Sequence, residues 1–61
     1  MAQITSKELS YITDQLSHEQ NLVAKFTYFA EQTNDSVLKA QYERYAQMHQ
    51  KHFDALYSSI K

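Results

Sequence analysis

The 61-residue chain contains no cysteine, no glycine and no proline, and each absence removes a class of function. Without cysteine there is no disulfide framework, no thiolate metal site and no thiol nucleophile. Without glycine there is no phosphate-cradling loop and no dinucleotide fingerprint, because both need backbone free of a Cβ beside the phosphate. The shortage of turn residues also disfavours a sheet built from hairpins, so long helices are expected. Charge of one sign is lacking too. Six Lys and Arg stand against seven Asp and Glu, for a formal net charge of -1 with no basic cluster, which leaves no electrostatic footprint for nucleic acid. No apolar run approaches the roughly 18 residues that span a bilayer. The opening Met-Ala-Gln-Ile-Thr-Ser has neither a charged n-region nor an apolar h-region, so cytoplasmic synthesis is expected and a membrane partner is not.

What is present is apolar bulk in a short chain. Apolar residues make up 43%, among them five Tyr and three Phe. A chain of about 60 residues buries only about 60% of its unfolded surface, and without disulfides it often needs a partner. That many rings exceed what a two-helix monomer hides, so oligomerisation is expected.

The pattern divides into two helices and one turn. Thr5 and Glu8 form a capping-box signature, with Ile4 and Leu9 placed as a hydrophobic staple. From there Leu9, Ile12, Leu16, Val23, Phe26 and Ala30 recur at spacings of three and four, the seam of an amphipathic helix over about 6–32. Thr33-Asn34-Asp35 is the turn-like cluster, and Asp35 suits the N-cap of a second helix over about 36–59. Its seam is Leu38, Tyr42, Tyr45, Phe53, Leu56 and Ile60, with Ala46 and Tyr57 on a flank. So short a turn forces an antiparallel hairpin. The fold class is all-α, and pairing two hairpins into a homodimeric four-helix bundle is the simplest closed solution. The surface expected to meet the second subunit comprises Leu16, Leu22, Val23, Phe26 and Phe29 on the first helix with Tyr45, Phe53 and Leu56 on the second. Leu22 and Phe29 lack the Lys and Arg rim of a membrane-lying helix.

The seams carry polar interruptions. Glu19 occupies the slot between Leu16 and Val23 and should be buried. His49 falls between Tyr45 and Phe53, His52 lies about 60° to one side, and His18 projects away from the seam. With the turn centred near Asn34, residues lie level when their numbers add to about 68, as those of Glu19 and His49 do. Two readings of this layer stay open. In one, Glu19 and His49 satisfy each other as a metal-free pair that fixes register, and no cofactor is involved. In the other, Glu19, His49 and His52 are metal ligands for zinc, iron or manganese, with a second subunit adding its own pair. Ligands are scarce by metal-site standards, which weighs toward the pair. His49-x-x-His52 is a weak signal, because two histidines three apart are common on amphipathic helices.

Ile4-Thr5-Ser6-Lys7-Glu8-Leu9, Glu19-Gln20-Asn21-Leu22, Asn34-Asp35-Ser36-Val37-Leu38-Lys39 and Met48-His49-Gln50-Lys51-His52-Phe53 together resemble the spore coat F-like family. The resemblance covers most of the chain. It implies a half-bundle that dimerises into a ferritin-like body, and a structural role in the coat of endospores alongside other coat proteins. The ferritin-like metal pattern pairs a Glu on one helix with Glu-x-x-His on the next, which places Glu19 and His49 in the pattern and finds Ala46 where it has a carboxylate. The resemblance therefore implies at most a reduced site of two Glu and two His in a dimer. The chain reads as a structural protein and not an enzyme. Its binding rival is a metal-holding ferritin-like dimer, and a redox di-metal enzyme is least favoured by the count of carboxylates.

Overall fold

A computed structural model describes residues 4–60; the first three residues of the opening read for a targeting signal lie outside them. Two helices, α1 (Ser6–Gln32) and α2 (Ser36–Ser58), pack against each other as a hairpin. The second helix ends one residue short of the expected boundary, with Ser59 as its C-cap.

Local chemistry sets both starts. The Thr5 hydroxyl accepts the Glu8 amide at 3.1 Å, and the Glu8 carboxylate accepts the Thr5 amide at 3.2 Å, a reciprocal capping box. Ile4 and Leu9 stay exposed, so this entry is held by polar bonds and not by a buried apolar staple. Asp35 caps α2, its Oδ1 accepting from Val37 and Leu38 amides at 2.8 and 3.0 Å. Between the helices, Thr33 in extended conformation donates its amide to Phe29 and accepts the Asp35 amide on its hydroxyl. The turn is thus closed by a threonine and an aspartate, without a left-handed residue.

The seam is narrow and aromatic. Phe26 lies at its centre, 6.2 Å from Tyr42, 5.3 Å from Tyr45, 6.3 Å from Phe29 and 5.8 Å from the His49 ring. Ring pairs at such separations contribute about 0.5–1.5 kcal/mol each beyond the area they bury. Yet among the described residues only Ala30 and Glu19 are buried. Leu9, Leu38 and Tyr45 were expected in the seam, but each remains exposed, Tyr45 at 42%. The reason is geometric: two helices in a 47 × 17 × 11 Å body cover one stripe apiece, and a residue at the edge of the stripe keeps its outer half in solvent. Tyr11 and Tyr28 stand on the surface as their wheel positions require.

Candidate metal centre

Glu19 is the one charged side chain that the hairpin buries among the described residues, at 7% side-chain exposure. Its position follows from the 3.6-residue period: it shares the inward face with Leu16, Val23 and Phe26. Opposite it, α2 presents His49, which shares that helix's seam with Tyr45 and Phe53. His49 Nδ1 lies 2.7 Å from Glu19 Oε1, so the level pairing expected from the turn is present. One helical turn further, His52 Nδ1 lies 3.3 Å from Glu19 Oε2. The two imidazoles therefore share one carboxylate, one on each oxygen. Their rings meet edge to face at 5.5 Å, and the His49 ring lies parallel to Phe26 within 4°. Phe26 thereby restricts the plane of His49, and the bond to Glu19 sets which edge of the ring carries Nδ1.

Burial acts to raise the Glu19 pKa. The His49 hydrogen bond, the His49 and His52 charges and the Gln15 amide act the other way and prevail, holding the carboxyl below its ordinary value. The side chain is accordingly an ionised acceptor at neutral pH, and no buried side-chain polar atom among the described residues lacks a partner.

The three predicted ligands come together, with their ligand atoms all within 4.8 Å of one another. They differ in access: His49 is 17% exposed at its side chain and His52 is 52% exposed, so the cluster opens to solvent at His52. His18, on the outward face of α1, takes no part. One contributor was not anticipated. Gln15 Nε2 lies 3.4 Å from Glu19 Oε2, and the available signal was its position four residues before Glu19 on the same helix. The partner residues read from the sequence fall on both sides of the seam. Leu22, Phe26 and Phe29 lie on the side of Tyr45 and His52, as the Phe26–Tyr45 and Glu19–His52 approaches show. The opposite side is a groove of about 320 Å³ lined by Thr27, Ala30, Glu31, Lys39, Glu43, Ala46 and Gln47.

No described helix is long and apolar enough to cross a membrane. No protein-family model matches the chain, and no curated protein or solved structure matches it.

Proposed function

We propose that the chain is a small structural protein whose hairpin pairs with a second copy to form a four-helix bundle of the spore-coat type. The observation that carries this reading is surplus exposed surface. A compact folded monomer of 7.2 kDa exposes about 4,100 Å², whereas this hairpin exposes 4912 Å². The surplus, about 800 Å², equals what one partner contributes to an interface of standard size. The open side of the seam is the place to bury it. Leu22, Phe26, Phe29 and Tyr45 give that side an apolar and aromatic centre, with Arg44 and Lys51 beside Met48 and His52 at its rim, and the opposite groove carries Glu31, Lys39 and Glu43. A second hairpin laid on the open side covers rings that one hairpin leaves half in water. The resemblance at Ile4–Leu9, Asn34–Lys39 and Met48–Phe53 supports the coat assignment, with synthesis in the cytoplasm before assembly. No residue is given a catalytic role.

Sedimentation equilibrium at micromolar concentration tests the pairing. The expected mass is twice 7.2 kDa. Tyr45→Lys, which places a charge on the open side, should return the protein to monomer, and Thr27→Lys on the opposite groove should not. A wild-type monomer mass would defeat the dimer. Recovery of the tagged chain from the coat fraction of an endospore-forming bacterium tests the location, and its confinement to soluble extract would remove the coat role while leaving the dimer intact.

A further inference from the structure

We infer that Glu19, His49 and His52 of one chain form a mononuclear site for a zinc-class divalent transition metal. The sign is the second imidazole. Glu19 is already satisfied by His49 at 2.7 Å and by the Gln15 amide, so the polar layer is complete without His52. A half-exposed histidine at 3.3 Å adds little as an ion pair, because solvent screens an exposed pair. As a ligand it adds a coordinating atom where two others already converge.

The geometry suits a small tetrahedral ion. Metal bonds of about 2.0–2.2 Å place tetrahedral ligand atoms about 3.3–3.6 Å apart. Glu19 Oε2 and His52 Nδ1 are at 3.3 Å, and all three ligand atoms lie within 4.8 Å of one another. The His49 Nδ1–Glu19 Oε1 contact, at 2.7 Å, is shorter than that spacing and opens when an ion replaces the shared proton, while the half-exposed His52 side chain turns to complete the set. Each imidazole offers a lone pair at Nδ1 once its proton resides on Nε2. Two nitrogens and one carboxylate suit zinc or a neighbouring first-row ion, whereas calcium and magnesium demand more oxygens. Outer contacts support the ligands: Gln15 holds Glu19, and Phe26 restricts the plane of His49. In the single hairpin the fourth position faces the opening at His52 and falls to water. Ala46 leaves no carboxylate one turn before His49, so nothing bridges to a second ion. All three ligands belong to one hairpin, so the site stands whether or not the hairpin dimerises.

Titration of Zn²⁺ into chelator-treated full-length protein by calorimetry, with Co²⁺ absorption as a second readout, tests the inference, and sedimentation mass is recorded in parallel. The expected result is saturation at one ion per chain, with a Co²⁺ spectrum of nitrogen and oxygen ligation. His52→Ala and the bulkier His52→Gln should each weaken binding at least about tenfold, the scale at which even supporting groups act, while far-UV circular dichroism stays that of the wild type. His18→Ala should bind as the wild type does. Binding by a protein that sediments as a monomer upholds the site and defeats only the dimer. Absence of saturable binding, undiminished binding by both His52 variants, or half an ion per chain, which means an ion shared between copies, would overturn it.

Discussion

Replacing Glu19 with alanine removes the group on which both histidines converge, and the structure sets the size of the effect. His49 Nδ1 loses its 2.7 Å partner while its side chain remains only 17% exposed. A buried polar group left unpaired costs about 1–3 kcal/mol. Two effects moderate the loss: alanine is the better helix former by a few tenths of a kcal/mol, and the burial cost of the carboxylate itself disappears. The net expectation is a destabilisation of about 2 kcal/mol, which at about 4–8 °C per kcal/mol for a domain of this size lowers the melting temperature by roughly 8–16 °C. His18 points to solvent, and His18→Ala should stay within about 0.5 kcal/mol of the wild type. The assay is thermal unfolding followed by far-UV circular dichroism, with chelator present so that no ion contributes. Protein concentrations must be matched, because association makes melting concentration-dependent. Coincident melting curves for Glu19→Ala and His18→Ala would refute the buried layer as a source of stability.

The same carboxylate gives an acid limb to the stability curve. Its folded pKa lies below the ordinary 4.5, so its stabilisation is complete above that value and is lost as pH falls through the lower folded value. Urea midpoints measured down this range should fall in the wild type and flatten in Glu19→Gln; an equally steep limb in the variant would assign it to other carboxylates, Glu8 among them. Asp35→Ala strips two amides at the start of α2 of their acceptor and should cost about 1 kcal/mol, read as a lower urea midpoint at unchanged slope. An unchanged midpoint there would mean that packing alone starts the helix.

How much of this was legible in the sequence depends on how local the cause is. The helix starts were readable because a cap is made by residues two or three apart, Thr5 with Glu8 and Asp35 with Val37 and Leu38. The pairing of Glu19 with His49 was readable because a short antiparallel turn leaves one register. The exposure of Leu9, Leu38 and Tyr45 was not, since a helical wheel gives the direction of a side chain but not how far the neighbouring helix extends over it. His52 and Gln15 also escaped firm placement. Both lie to one side of their seams, and whether such a residue reaches Glu19 depends on the helix crossing and the rotamer, neither of which a wheel contains.

A polar layer in so thin a core works against misalignment. Phe26, Tyr42, Tyr45 and Phe53 are rings of similar bulk, so an aromatic seam alone tolerates sliding one helix past the other by a turn, about 5.4 Å. Glu19 does not tolerate it. One turn in one direction sets the carboxylate against Phe53 and His49 against Val23; one turn in the other sets Glu19 against Tyr45. In the first case a buried charge loses its partner, at a cost of about 3–5 kcal/mol, which is large beside the pairwise energies of the rings. The carboxylate therefore fixes the register that brings both imidazoles to it. His52 has no such duty, being half exposed and at the edge of the seam. It follows that Glu19 and His52 variants should separate: loss of Glu19 takes stability and ligand geometry together, whereas loss of His52 takes ligand geometry alone.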